Sequence, residues 1–576
     1  MSSIKVDKGS SAMIQRSGLI AFKEPLQLFL SIVKSSRSPC GNVKVLQSSN
    51  GGNVSFTSSS KRLFKALSVR KPVIRLLVTA AQGHLEAYSD NGLFLSTFST
   101  DLVLRSMNSS KNLRILNECY EIFLTLCLQY FNRDCCNFKY PAVISDLRFI
   151  QSFVRTVLKS KPLCTLNEEK LSHLCKLIID LFLHGATSEK NGIHLMDSVY
   201  ILSYPGIDVL ESSSYRGLAL LAPECSKFKT QTLQPKSTKC ENEMKIKLAL
   251  VAMSMSGDLE ELSTTNYEVT TDITWDSVIL EGLSKFCDSL IQFNVGLVLC
   301  QKVIHPQLKI KLKNSGVIVV DRVGSYPMKY ICTLSGCKPI LSIENIIPDD
   351  CYGYISNVQH KIIHQHSYIH LSNTNNCLST LVLCHNYEEM LNELKDVCIT
   401  CIDNLQQLLY EPYILSGGGC WQTGLATYLL NKVTSDIEEL SIQHDIPVSV
   451  LKEESKVFHD SLVDSVMSNK QNYVIDSNTG HICTYNTLTD TVITDYCCCQ
   501  IYEVNDRDIY VIDDTNGMKF GTNLLMVDTV DSLNIKKSFK ERDVVIDVYR
   551  SAVNAFQTAV LTACSILKIG QVIENV

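Results

Sequence analysis

No apolar run in this 576-residue chain is long enough to cross a bilayer. LIIDLFLHG and VGLVLCQKVI stop well short of the roughly 20 residues that a membrane helix needs. Insertion into a membrane is therefore not expected. The N-terminal stretch MSSIKVDKGSSAMIQRSG also lacks the basic-then-apolar order of a secretory leader. Positive charge is not in excess, because 54 Lys and Arg face 59 Asp and Glu for a net −5. That balance gives no reason to expect a nucleic-acid-binding surface. The local basic spot KSSRSPCGNVK reads as a solvated turn. No repeat at solenoid spacing is present.

Zinc-finger spacing is missing as well. Cys398 and Cys401 form a CxxC, but on a helical pattern and with no second pair at the right distance. Cys497, Cys498 and Cys499 are consecutive, so on a strand alternate side chains would face opposite ways. Neither cluster reads as a metal site. The 24 cysteines are expected to be thiols of a cytosolic protein, buried as small apolar side chains.

What is present is a long, ordinary globular composition with 45% hydrophobic and 20% charged residues. Such length exceeds one core, so several domains are expected. The first 140 or so residues read as helices interrupted by SSNGGNVSFTSSS, a hairpin signal with its turn at Asn50, Gly51 and Gly52. SDLRFIQSFVRTVLKS and EEKLSHLCKLIIDLFLHG carry helical periodicity. From SYPGIDVL the pattern shifts to short strands. VGLVLC, IHPQLKIKLKNS and GVIVVDRV then spell a βαβ unit. Beyond about residue 346, His364, His366, Tyr368 and His370 alternate along what reads as a half-buried strand rather than a metal site. The chain turns helical again from Tyr387. Its last helix shows an apolar stripe of Tyr549, Ala552, Val553, Phe556, Val560, Ala563 and Leu567. The order helical, mixed, α/β, mixed, helical suggests nested insertion, with both ends building one helical domain.

Between two helical patterns sits EPYILSGGGC, with Gly417, Gly418 and Gly419 in a row. Consecutive glycines allow a tight turn or a close approach by phosphate or by another backbone. In the context of the nested order, this triplet resembles the VPGGGA turn of the group II (TCP-1) chaperonin family. SPCGNVKVL resembles that family's GPKGMDKML phosphate loop, keeping Pro39, Gly41, Lys44 and Leu46. VGLVLCQKVIHPQLK resembles the opening of its substrate-facing βαβ, and SILKIGQVI its closing ILRIDDII. The resemblance implies a multidomain α/β and α+β protein with the chaperonin subunit fold. Equatorial segments are expected at 1–142 and 387–576, intermediate segments at 143–204 and 346–386, and an apical domain at 205–345.

It also implies an ATP and magnesium site, held here by Pro39, Gly41, Asp90, Gly417, Gly418, Gly419 and Asp547. Asp90 falls on the magnesium-binding acid. The motif around it has drifted: the family's GDGTT is Ser89-Asp90-Asn91-Gly92-Leu93. Ser58 to Ser60 stand where the family carries an acidic NDGATIL stretch, and Val548 replaces a proline beside Asp547. Thr400 stands in place of the catalytic aspartate that orients the attacking water. A hydroxyl carries no charge and is no base near neutral pH, so hydrolysis should be weak or absent. Asp396, one turn away, is a nearby acid. Gly570 and Gln571 replace the acidic pair near the C-terminus, and the acidic excursion at 256–275 is short for a lid. Ring closure by the chain alone is therefore expected to be weak.

VLCQKVIHPQLK and SDNGLF further resemble a divergent vertebrate branch of the family. That likeness implies a cytosolic and centrosomal or basal-body protein, with a possible nuclear pool. It would help assemble the BBSome, a ciliary trafficking complex. Its partners would be Bardet–Biedl chaperonin-like proteins and cytosolic chaperonin subunits, with BBSome subunits as clients. The alternative is an ATP-hydrolysing folding subunit that works in a ring.

Overall fold

The computed structural model describes residues 14–17, 19–37, 41–47, 54–109, 111–133, 136–161, 164, 166–185, 198–223, 237–240, 243–257, 275–342, 347–374, 378–466, 473–476, 481–486, 491–492, 497–500, 509–511, 544–569 and 572–575. Pro39, with its neighbours Ser38 and Cys40, lies outside these residues. So do Gly570, Gln571 and nearly all of the acidic excursion. The chain divides into two compact units: 1–176 joined with 389–576, and 177–388 inserted between them.

The first unit is mostly helical. Its main helices are α1 (Lys23–Ser35), α2 (Pro72–Tyr88), α3 (Gly92–Asn108), α4 (Leu113–Phe131), α5 (Glu388–Tyr410), α6 (Cys420–Ser435), α7 (Val448–Asp464) and α8 (Tyr549–Leu567). Pro72 opens α2 at a position where its missing N–H costs nothing. The core is aromatic. Phe98 meets Phe458 edge-on at 5.3 Å between ring centres, and Phe94 meets Trp421 in the same way at 5.3 Å. Each such ring contributes about 1.5–3 kcal/mol through burial.

Helix α8 is buried along Ala552, Ala555, Phe556, Ala559, Val560 and Ala563. Val553, expected in the stripe, is only half-buried. The small alanines set the packing face one position round, because they let α3 approach closely.

At the glycine- and serine-rich interruption Lys44–Leu46 pairs antiparallel with Ser55–Thr57, while the expected turn at Asn50, Gly51 and Gly52 lies outside the described residues. The terminal strand Val572–Asn575 pairs antiparallel with Ile14–Ser17 of the same chain. Three strands frame the site: β1 (Lys139–Pro141), β2 (Tyr413–Ser416) and β3 (Ile546–Val548), with β2 in the middle and antiparallel to both. A four-stranded sheet, including Tyr473–Asp476 and Ile482–Asn486, completes the unit.

The inserted unit contains the βαβ. Strand Leu297–Cys300 lies parallel to Ile318–Val320, with helix Pro306–Asn314 between them. Leu297–Cys300 also lies parallel to Glu243–Val251, which pairs antiparallel with Tyr352–Ile355. A second layer pairs Ser379–His385 in parallel with Val199–Pro205. The histidine-bearing strand is His366–Ser372, paired with Asn357–Ile363. Its burial differs from simple alternation, because Tyr368, Ile369, His370 and Leu371 are all buried. His364 and Gln365 form the two-residue turn with φ of 45° and 68°. His364 Nε2 sits 3.3 Å from the Cys384 thiol.

Of the cysteines whose side chains are described, Cys332, Cys351 and Cys498 are partly exposed, and the others, such as Cys119, Cys398 and Cys420, are buried free thiols. No described helix is long and apolar enough to cross a membrane.

Candidate nucleotide site

Helices α2 and α3 meet in a three-residue turn, Ser89-Asp90-Asn91. Ser89 and Asn91 both take left-handed backbone, at φ 56° and 61°. Neither is glycine, and asparagine is among the few side chains that tolerate this region. The turn presents the first N–H groups of α3, and Asn91 makes no side-chain capping bond to them. Its amide instead reaches Ser551 Oγ at 3.2 Å. Asp90 Oδ1 accepts from the Asn91 N–H at 2.7 Å. Asp90 Oδ2 has only a long bond, accepting from Asn404 Nδ2 at 3.4 Å. Gly92 is packed so closely on Leu85 that a Cβ would fall 2.7 Å from Leu85 Cγ.

Helix α5 runs past this turn. Glu393, Asp396, Thr400, Asp403, Asn404 and Gln407 recur at three- and four-residue steps, forming one polar stripe. Thr400 Oγ1 donates to the Asp396 carbonyl at 3.0 Å, and the Ser89 carbonyl lies 3.5 Å from it. Its hydroxyl hydrogen is therefore spent on its own helix. The Asp396 carboxylate pairs with the Arg62 guanidinium. Burial nevertheless raises its pKa, with Glu393 adding repulsion and Arg62 opposing. Asp403 accepts from the Ser89 hydroxyl.

Glu393 is the residue that sequence reasoning missed. It is wholly buried, yet its two oxygens are satisfied by the serine tract. Thr57 Oγ1 donates to Oε2 at 2.9 Å, while the Ser58 N–H and Oγ donate to Oε1 at 2.8 and 2.5 Å. The tract expected to have lost an acid thus wraps an acid supplied by the opposite helix. The signal was the seven-residue step from Glu393 to Thr400 to Gln407, two helical turns each.

Asp547, on β3, accepts from Trp421 Nε1 at 2.8 Å. Burial pushes its pKa up to about 6, and the Asp90 charge adds to this; the Trp421 hydrogen bond and Arg37 oppose. Arg37 corrects an expectation, since the basic spot that holds it is not simply a solvated turn. The guanidinium lies 5.1 Å above the Phe94 ring and donates to the Ser465 carbonyl. Burial lowers its pKa to about 10, partly offset by Asp547. A single arginine within a polar run gave no sequence sign of this packing. Gly41 closes the same loop: a Cβ there would lie 2.7 Å from the Ser36 carbonyl carbon, and the next N–H, from Asn42, reaches Ser35 O at 2.8 Å.

The glycine triplet joins β2 to α6. The Gly417 N–H donates to Val545 O at 2.9 Å, and a Cβ there would lie 2.9 Å from that same peptide. Gly418 and Gly419 have φ of 63° and 91°. A Cβ on Gly418 would meet the Cys498 carbonyl at 2.9 Å, and one on Gly419 would meet Ile482 Cδ1 at 2.7 Å. All three glycines make room for the chain's own backbone and side chains. Ser416 Oγ beside them, and Asn404 Oδ1 beside Asp90, are buried polar atoms without a hydrogen-bond partner. The structure thus gathers Asp90, Thr400 and Asn404 at one turn, and sets Asp547, Arg37 and Trp421 together behind it.

This scaffold is that of a chaperonin. The TCP-1/cpn60 chaperonin family model matches residues 30–495, and the chain belongs to that family. Among curated relatives, "Molecular chaperone MKKS" of Homo sapiens is 27% identical over 559 residues, covering 96% of this chain and 95% of that protein. Its Mus musculus counterpart is 26% identical over 563 residues, covering 96% of each. The nearer likeness read from the sequence, to the McKusick–Kaufman/Bardet–Biedl chaperonin-like proteins, is met by these relatives. A more distant similarity links the chain to "Thermosome subunit alpha" of Sulfolobus acidocaldarius, 23% identical over 412 residues, 69% of this chain and 71% of that one.

Proposed function

We propose that this chaperonin-like chaperone captures and assembles protein subunits without an ATP hydrolysis cycle of its own, and that its clients are subunits of the BBSome. In this reading unit 1 supplies the equatorial segments, and the inserted unit supplies the apical domain and part of the intermediate one, along the boundaries given above. The partners are other Bardet–Biedl chaperonin-like proteins and cytosolic chaperonin subunits, and the setting is the cytoplasm and the centrosome or basal body.

The residues present fit a nucleotide in part. The uncapped start of α3 suits a phosphate, because free N–H groups and the helix dipole favour anions. Asp90 Oδ2 is the oxygen that would hold magnesium, with unpartnered Asn404 Oδ1 at hand. Bound magnesium would neutralise phosphate charge and polarise the terminal phosphoryl group. Phosphoryl transfer further needs a group that orients water. The observation that carries the proposal is the Thr400 hydroxyl, uncharged and already donating to Asp396 O. Asp396 itself is held by Arg62.

The test is reconstitution of BBSome subunits in the presence of the purified chain. Assembly yield should be the same with ATP and with a non-hydrolysable analogue. A yield that collapses with the analogue would overturn the proposal.

A further inference from the structure

Cys420, His481, Cys497 and Cys499 come from three separate stretches of sequence, yet their ligand atoms all lie within 4.8 Å of one another, and all four residues are buried. Cys497, Cys498 and Cys499 form a turn rather than a strand. The flanking thiols therefore point the same way, and Cys498 packs elsewhere. Cys497 Sγ lies 2.8 Å from Cys499 Sγ, and Cys499 Sγ lies 3.5 Å from His481 Nδ1. The second ligand pair that the sequence did not reveal is Cys420 and His481, 77 and 16 residues before Cys497 by their numbers.

We propose that these four side chains form a structural zinc site of the Cys₃His type. Three thiolates and an imidazole, buried and closed to solvent, are a donor set that zinc takes in tetrahedral geometry. With Zn–S near 2.3 Å, tetrahedral sulfurs stand about 3.8 Å apart, so Cys497 and Cys499 spread by about 1 Å to admit the ion. Cys420 opens α6, where the helix N-terminus stabilises negative sulfur, and the Ile482 N–H points at its Sγ from 3.5 Å. The His481 ring is held 5.5 Å from the Phe138 ring.

The ion would tie the glycine turn to everything packed on it. Cys420 directly follows Gly419, the Cys498 N–H donates to Ile482 O at 2.7 Å, and the Val545 N–H donates to Cys499 O at 3.1 Å. Losing the metal would loosen the turn and β3, which carries Asp547. A competing fate for the same atoms is a Cys497–Cys499 disulfide, but closing so short a ring strains the dihedral.

The full chain, purified without added metal and without chelator, is assayed for bound elements by mass spectrometry. Near one zinc per chain is expected. Cobalt replacement should give the intense visible bands of tetrahedral thiolate coordination, and X-ray absorption should show three sulfurs and one nitrogen. His481→Ala and Cys499→Ser should each lose most of the zinc, while Cys398→Ala, at a buried cysteine outside the cluster, retains it. Should the site variants fail to fold, the wild-type stoichiometry and cobalt spectrum still decide. A folded wild type that carries no zinc and stays colourless with cobalt, or that carries a Cys497–Cys499 disulfide by mass, would overturn the proposal.

Discussion

Glu393→Leu should destabilise unit 1 by about 3 kcal/mol or more, because it strands three buried donors at once. The carboxylate receives the Thr57 hydroxyl, the Ser58 hydroxyl and the Ser58 N–H within 2.9 Å, in a place with no solvent. Leucine matches the volume but accepts nothing, and each orphaned donor costs about 1–3 kcal/mol. The damage should spread locally. Thr57 ends the hairpin, and Ser59 opens the helix Ser60–Ala66. Glu393→Gln, which keeps one carbonyl acceptor, should lose about half as much. Denaturant midpoints at constant slope give the comparison. A leucine variant as stable as wild type would show that the serine tract finds water or other acceptors.

Gly419→Ala should cost about 2–4 kcal/mol, through left-handed backbone and a methyl driven into Val466 and Ile482. Left-handed backbone alone disfavours alanine by about 1 kcal/mol. The rest is overpacking against side chains that are themselves held. Gly83, inside α2, supplies the opposite sign: a Cβ there meets nothing within 4 Å. Gly83→Ala should therefore stabilise by about 0.5–1 kcal/mol, since glycine in a helix interior is entropically costly. If the two variants shifted the melting temperature alike, the glycine triplet would not be serving close packing.

Much of the architecture was legible because it rests on short-range patterns. Periodicity marked α8, and two apolar runs flanking a helix marked the parallel βαβ. Surviving motif order pointed to Asp90 and Gly417–Gly419 as candidates, and the fold places Asp90 in the turn between α2 and α3 and the glycines against the chain's own backbone and side chains. What stayed hidden depends on long-range pairing. Glu393 meets Ser58 across 335 positions, a distance that no local pattern encodes. Arg37 looked like solvated charge because only the fold brings Phe94 and Asp547 to it. The cysteine run looked unpaired for the same reason. Its turn conformation, and the arrival of Cys420 and His481, are tertiary facts.

The proposal that no group among the described residues primes water for attack is tested most directly by steady-state phosphate release with magnesium-ATP. Purified wild type should release phosphate no faster than Asp90→Ala, while Thr400→Asp, which restores a carboxylate facing the Ser89–Asn91 turn, should rise above both. Sustained turnover by wild type that Asp90→Ala abolishes would contradict the account.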